Sequence, residues 1–319
     1  MMPSPIHPML GVLAKKPFNR KGWVFEIKWD GYRAIAEINK QKVKLYSRNQ
    51  LSFNAKFPTI VSELQQWSVE SAILDGELAI LDKAGRSEFQ SMQNYQRTQV
   101  GTVFYCVFDL LYLDGRDLRT LPLIERKAIL EKLLSKMPHH YIHYSEHVDE
   151  KGVAYFKRAT AQHLEGVMAK NGQSPYSMHR SLEWVKIKSQ QRQEFVIGGF
   201  TEPSGSRERF GSLLIGVYEN GKLRYCGHVG GGFTRQSLKE VHEKLEPLFI
   251  ITPPFINAPK VSPETTWIKP QLVCEVSFAE WTDEGLLRQP VFQGLRIDKK
   301  AKEVKREEFT NPSRSHDAK

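Results

Sequence analysis

Short apolar runs at strand spacing dominate this chain, and only a few stretches shift to helical spacing. Residues 23–47 read as two strands around a turn at 39–42. A strand is expected at 72–81, followed by a turn at 82–85, and another apolar run covers 103–111. Residues 58–67 read as a short helix with Pro58 in its first turn. The clearest amphipathic helix is 124–137, where Ile124, Ala128, Leu130, Leu133, Leu134 and Met137 fall mainly at helical spacing. A second helix is expected at 152–164, and two short strands at 166–170 and 184–188 close the first half.

Residues 189–193, Ser-Gln-Gln-Arg-Gln, offer nothing apolar to bury, which marks a domain boundary. Beyond it the pattern is strand-rich, with runs at 194–200, 212–218, 223–229 and 272–281 and one helix near 235–249. Asn220-Gly221 between the second and third of these runs signals a two-residue hairpin. Short strands interrupted by one helix suggest a small barrel of the oligonucleotide-binding type. The class is therefore α+β, with domains at 1–190 and 191–319. Residues 301–319 are charged and poor in apolar side chains, so a mobile tail is expected beyond about Glu308. No internal repeat is visible.

Length supports the division, because 319 residues exceed the size at which one core usually keeps growing. The net charge of +10 favours an anionic partner, nucleic acid being the commonest. Residues 1–190 hold 27 Lys and Arg against 19 Asp and Glu, so most of the excess lies in the first half. Cys106, Cys226 and Cys274 are far apart and set in apolar runs, which fits buried thiols in a reducing compartment and gives no zinc spacing. No basic segment followed by an apolar stretch opens the chain, and no apolar run approaches membrane-spanning length. A soluble, cytoplasmic protein is expected.

The candidate chemistry centres on Lys28-Trp29-Asp30-Gly31-Tyr32-Arg33, which follows the strand-like run Trp23-Val24-Phe25-Glu26-Ile27. A lysine at a strand end beside an acid, a glycine and an arginine reads as a covalent nucleophile next to a phosphate binder. The alternative is an ordinary strand end with a charged turn. The hexapeptide resembles motif I of the covalent nucleotidyltransferases, which include ATP- and NAD-dependent polynucleotide ligases and mRNA-capping guanylyltransferases. Ser47-Arg48-Asn49 looks like motif Ia, Asp75-Gly76-Glu77 like motif III and Phe108-Asp109 like motif IIIa. Glu165 to Lys170, Lys186-Ile187-Lys188 and Arg296-Ile297-Asp298-Lys299 look like motifs IV, V and VI, in the family's order. The flanks Phe25-Glu26-Ile27, 110–115, 198–211 and 287–292 resemble the ligase domain of bacterial DNA ligase D, a protein of non-homologous end joining. In many bacteria that domain is fused to polymerase and phosphoesterase domains, for which this chain has no room.

The resemblance implies a nucleotidyltransferase domain of antiparallel sheets and flanking helices, followed by an oligonucleotide-binding (OB-fold) barrel. It implies an ATP-dependent DNA ligase in which Lys28 carries AMP, with Mg²⁺ or Mn²⁺ required. Asp30, Arg33, Lys186 and Lys188 join Lys28 in catalysis, and Glu26, Ile27, Arg48, Glu77 and Phe108 bind the nucleotide. Glu77 and Glu165 are the metal candidates, and Phe108 is the ring expected to stack on adenine. Attack on a phosphate needs a neutral amine, whereas a free lysine has a pKa near 10.4. Cations are therefore wanted around the nucleophile, and Lys186, Lys188, Arg33 and the metal are the candidates. Arg296, Asp298 and Lys299 are expected to orient the leaving pyrophosphate in the first step only. Arg48, Arg207 and Arg209 are expected DNA contacts. Nicked duplex DNA is the expected partner, possible recruitment by Ku is left open, and a monomer is expected. An RNA ligase, a capping enzyme or a non-catalytic nucleic-acid-binding protein remain the alternatives.

Overall fold

The computed structural model describes residues 2–87, 89–203, 208–259 and 265–310, with the side chains of Gln96 and Arg97 excepted. The chain divides into two compact units, one of residues 1–189 with 308–319 and the other of residues 190–307.

The first unit runs β1 (Leu10–Leu13), β2 (Trp23–Ile27), β3 (Tyr32–Asn39), β4 (Lys42–Ser47), α1 (Pro58–Gln65), β5 (Ser71–Ile80) and α2 (Phe89–Thr98). It continues with β6 (Val103–Leu113), β7 (Arg116–Asp117), α3 (Leu123–Leu134), β8 (Ile142–Tyr144), β9 (His147–Asp149), α4 (Gly152–Ala161), β10 (Gly166–Asn171) and β11 (Arg180–Lys188). Among the described residues these strands form two sheets. One has the order β1-β11-β10-β2-β9; the other has the order β4-β3-β5-β6-β7, with β8 added to β6. Pairing is antiparallel except for β1 with β11 and β6 with β8. The β3–β4 turn uses Lys40 and Gln41 at φ +47° and +64°, the left-handed pair that a two-residue hairpin needs.

Two cores follow from strand alternation. Phe25, Val167, Ala169, Val185 and Ile187 face one way and pack with Ala159 of α4 and Leu164. Ile35, Ile73, Phe108 and Leu111 of the second sheet pack instead with Trp184 of the first and with Tyr176. The second cluster lies between the inner faces of the two sheets, and it positions the site.

The second unit contains β12 (Arg192–Thr201), β13 (Leu213–Glu219), β14 (Lys222–Val229), α5 (Arg235–Leu245) and β15 (Phe249–Ile250). After these come β16 (Thr265–Ile268), β17 (Val273–Ser277), β18 (Glu280–Trp281), β19 (Leu287–Arg288) and β20 (Val291–Arg296). Strands β14-β13-β12-β17-β20 form a curled series, and a single bridge from Gly231 to Val291 connects its two ends. The result is a partly open barrel around Phe195, Ile197, Leu213, Ile215 and Val276, not one closed by a full ladder.

Two expectations change here. The helix expected to 249 stops at Leu245, because Pro247 has no N–H with which to continue it. Residues 308–310 are not loose: Phe309 bridges Leu13, and the Thr310 N–H donates to the Leu13 carbonyl at 2.7 Å, so they extend the β1 edge of the first unit. Residues 311–319 lie outside the described residues.

Candidate active site

The register of β2, β10 and β11 builds one side of the site. Glu26 pairs with Met168, which pairs with Lys186; one step on, the Lys28 N–H donates to the Gly166 carbonyl at 3.0 Å, and Gly166 pairs with Lys188. Side chains of a rung share a face. Glu26, Lys28, Lys170, Trp184, Lys186 and Lys188 therefore line one face, and the opposite face is apolar. Lys186 and Lys188 are half-buried. Lys28 Nζ donates to Glu165 Oε2 at 2.5 Å, with the two side chains 19% and 7% exposed. Gly166, next to Glu165, has φ +149°, and a Cβ there would collide with the Ile187 carbonyl oxygen. Only glycine allows β10 to start where Glu165 meets Lys28.

The same alternation corrects one expectation. Ile27 points to the other face, where it packs with Phe25 and Val167, so its side chain does not line the nucleotide site.

The second sheet supplies the other side. Arg33 and Glu77 pair across β3 and β5, and Glu77 pairs with Cys106 of β6. The Arg33 guanidinium donates to both Asp75 oxygens at 2.9 and 2.6 Å and to the Met9 carbonyl at 2.7 Å. Burial opposes the Arg33 charge, and the Asp75 carboxylate outweighs it, so its pKa moves further up. Tyr176 Oη also donates to Asp75, at 2.6 Å. Arg33 was expected among the cations around Lys28, yet its charge is balanced by a fully buried carboxylate. Phe108 is the extra residue of a bulge, since Asp109 pairs with Asp75 and Val107 with Gly76. Its ring is 8% exposed, edge-on to Trp184 at 5.9 Å, with Arg33 at 5.2 Å and Lys170 at 4.2 Å from its centroid. The expected stacking platform is thus built into the core between the sheets. Asp30 is buried, and its N–H donates to Ser87 Oγ at 2.9 Å. Arg48 follows β4 directly and is half-buried.

Sequence reasoning missed a buried charge network behind these residues. Lys127 of α3 and Lys170 of β10 donate to the two Glu26 oxygens at 2.8 and 2.7 Å, and all three side chains are 1% exposed. Arg126 and Asp109 form a fully buried bidentate pair at 2.8 Å. Burial works against the Glu26 charge, and the two lysines together outweigh it, keeping its pKa low. Lys127 and Arg126 gave no signal in the sequence because charged residues on a helix normally read as its solvated face.

Burial also pulls Lys170 down to about 8, against the attraction of Glu26. This value lies below that of a free lysine, about 10.4, so between them the unfolded chain binds the proton more readily than the folded one. The destabilisation from this group is full below pH 8 and is relieved as pH rises from 8 toward 10. Lys170→Met should flatten that rise in denaturant melts at pH 7, 8, 9 and 9.5. Parallel wild-type and variant curves across the window would contradict the burial of an ammonium here.

In the second unit Arg296 donates to Glu275 at 2.6 Å and to both Asp298 oxygens at 2.8 Å, and Arg192 reaches Glu275 at 2.7 Å. Lys299 pairs with Glu194 at 2.9 Å. Arg209 is exposed at φ +78°, and Arg207 lies outside the described residues.

Residues 8–188 match the family described as ATP dependent DNA ligase domain, and residues 206–299 match its C terminal region. The chain belongs to the ATP-dependent DNA ligases. This ligase is 41% identical over 98% of its length to the multifunctional non-homologous end joining protein LigD of Pseudomonas aeruginosa, of which it spans 38%. It is 32% identical over 92% of its length to the SPbeta prophage-derived DNA ligase-like protein LigB of Bacillus subtilis, covering 99% of that protein. Among solved structures it resembles a mycobacterial DNA ligase D complexed with ATP and MES, with TM-score 0.68 and 36% identity over 95% of this chain and 98% of that one.

Among the described residues no three His, Cys, Asp or Glu side chains gather as a metal cage. That donor set still fits Mg²⁺, which is commonly held by one or two carboxylates together with substrate phosphates and water. Glu165 and Glu77 are the candidate carboxylates, since Glu26 and Asp75 on the same faces are held by Lys127, Lys170 and Arg33. No described helix is long and apolar enough to cross a membrane.

Proposed function

We propose that the ligase seals 5′-phosphate/3′-hydroxyl nicks through an AMP carried on Lys28. The observation that carries this reading is the Lys28 amine held at a strand end against Glu165, on the face that also bears Lys186 and Lys188. Glu165 takes the ammonium proton and releases it to solvent. The neutral Lys28 Nζ then bonds to the α-phosphorus of ATP, the α–β phosphoanhydride bond breaks, and pyrophosphate leaves. Lys186 and Lys188 offset the charge on the phosphoryl oxygens. A Mg²⁺ or Mn²⁺ ion held by Glu165 and Glu77 with the phosphates would supply further neutralisation of those oxygens. The 5′-phosphate of the nick next displaces Lys28 from the AMP. Finally the 3′-hydroxyl attacks that phosphate and expels AMP, closing the backbone. Splitting the reaction in this way carries the activation of ATP to DNA. Arg48 and Glu77 would serve the nucleotide ribose or the nick phosphate, and Asp30 the sealing step.

The likeness to end-joining proteins supports a role in double-strand break repair. Ku is the candidate recruiter, and the reading takes the protein as a monomer acting in the cytoplasm. Intact mass after mixing with ATP and Mg²⁺ tests the central step: one added AMP is expected, and no gain removes the reading.

DNA binding should be governed by phosphate contacts, given the net positive charge of residues 1–190. If roughly 5–8 phosphates are neutralised, log affinity should fall with log salt at a slope of about −5 to −7, alike on every sequence. Fluorescence anisotropy with nicked duplexes at several salt concentrations measures this. A slope near zero, or a strong base preference at the nick, would remove the reading of phosphate-governed binding.

A further inference from the structure

Beside the nucleophile the chain passes between the two sheets of the first unit twice. Residues 28–31 lead from β2 to β3, and residues 145–146 lead from β8 to β9. In the first sheet β2 and β9 are neighbours, whereas in the second β3 and β8 are separated by β5 and β6. At about 4.8 Å per strand the two connections therefore spread to roughly 14 Å apart. The backbone ladder of β2 and β9 ends at the Glu26–His147 rung, two residues before Lys28. Beyond that rung a side chain joins the diverging connections: the Trp29 indole N–H donates to Ser145 Oγ at 2.9 Å.

Ser145 is a firm anchor for that bond. It is fully buried, its N–H donates to the Val107 carbonyl of β6 at 2.8 Å, and its carbonyl accepts from Lys127 Nζ at 2.9 Å. Lys127 in turn holds Glu26 of β2, so a shift of Ser145 would disturb bonds that reach both sheets. The connector that carries the nucleophile is fixed on either side of Trp29 as well. The Lys28 N–H donates to the Gly166 carbonyl at 3.0 Å, and the Asp30 N–H donates to Ser87 Oγ at 2.9 Å. At Gly31 a Cβ would lie 2.0 Å from the Leu78 carbonyl oxygen, so the chain there has no room for a side chain. Trp29, half-buried between these points, is held through its indole by Ser145.

We propose that Ser145 is a positioning residue for Lys28. By holding the Trp29 indole, its hydroxyl sets the direction in which Lys28 leaves the strand end, and so aims the amine at Glu165 and the α-phosphorus of ATP. This rests on the lysyl-AMP reading above. The serine acts through Trp29 and transfers nothing itself. A lysine side chain is long and rich in rotamers, so its amine is only as well placed as the backbone it starts from. A misplacement of about 1 Å in a reacting group costs on the order of 100-fold in rate.

Two deletions test the tie from its two ends: Trp29→Phe keeps a ring and removes the N–H, and Ser145→Ala removes the acceptor. Each should form lysyl-AMP about 10- to 100-fold more slowly at saturating ATP, with KM for ATP within about twofold of the wild type. Both deletions break the same bond, so the double variant should be no slower than the slower single one. Sealing of a pre-adenylylated nick, in which the Lys28 amine makes no attack, should stay within about threefold of the wild type. A merely structural role would instead lower both activities together with the melting temperature. Trp29→Phe, at a half-buried position, decides the matter by itself if Ser145→Ala melts early. A wild-type rate of lysyl-AMP formation in Trp29→Phe, additive losses in the double variant, or equal loss in both assays overturns the inference. Failure of the wild type to form any lysyl-AMP overturns instead the reading on which it rests.

Discussion

Lys28→Ala should gain no AMP from ATP and should seal nicks in the presence of ATP at least 1,000-fold more slowly, on the order expected when a covalent nucleophile is removed. The amine is placed by its own strand: the backbone bond from Lys28 to Gly166 fixes the rung, and the side chain extends to Glu165. Lys188 shares the rung but stands two strands away, roughly 10 Å at about 4.8 Å per strand, so it cannot take over the attack. Folding should survive, because the Lys28 side chain is 19% exposed, and a thermal melt beside the wild type checks it. Lys28→Arg is the control: it keeps a cation beside Glu165 but offers no comparable nucleophile. Intact mass and a gel assay of nick closure are sufficient. AMP still bound to the alanine variant would move the nucleophile elsewhere in the chain.

Much of this site could be read along the sequence because it is made of strand ends. A strand repeats every two residues, so a charged residue at the end of an apolar run marks its own position, as Lys28, Glu165 and Lys188 do. What could not be read follows from the same rule. Ile27 sits next to the nucleophile in sequence, yet alternation turns it to the opposite face. The Lys127–Glu26–Lys170 network joins residues 101 and 144 positions apart, and no local pattern reports such a distance. The α2 helix was missed because its sequence, Phe-Gln-Ser-Met-Gln-Asn-Tyr-Gln-Arg-Thr, carries only three apolar residues, too sparse to stand out although they fall three apart at helical spacing. Strand β1 is only four residues long, and its pairing with β11 links segments about 170 residues apart. Phe108 could be named from its motif, but that a bulge would place it between Arg33 and Lys170 depends on the β5–β6 register.

Arg296→Ala and Lys299→Ala should differ sharply, although the two residues belong to one motif. The Arg296 guanidinium is 8% exposed and is shared between Glu275 and Asp298, which are 7% and 2% exposed. Burial opposes that charge, and the two carboxylates more than restore it, holding the Arg296 pKa far up. Deleting the arginine removes both of its bonds to the buried Asp298 carboxylate and its bond to the buried Glu275. Breaking a buried pair in this way costs about 3–5 kcal/mol. Against a domain stability of about 5–15 kcal/mol, the second unit should melt well below the wild type. Self-adenylylation and sealing of a pre-adenylylated nick should then fall together. Lys299 is different: its pair with Glu194 is 16% and 26% exposed, and a solvent-screened pair of this kind contributes about 0–1 kcal/mol. Lys299→Ala should melt like the wild type, lose most self-adenylylation, and leave sealing of the pre-adenylylated nick largely intact, since pyrophosphate is present only in the first step. Thermal melts beside the two activity assays separate these outcomes. Wild-type melting of Arg296→Ala with loss confined to the first step would make its guanidinium a phosphate ligand rather than a brace. Equal loss in both assays for Lys299→Ala would assign that ammonium to DNA.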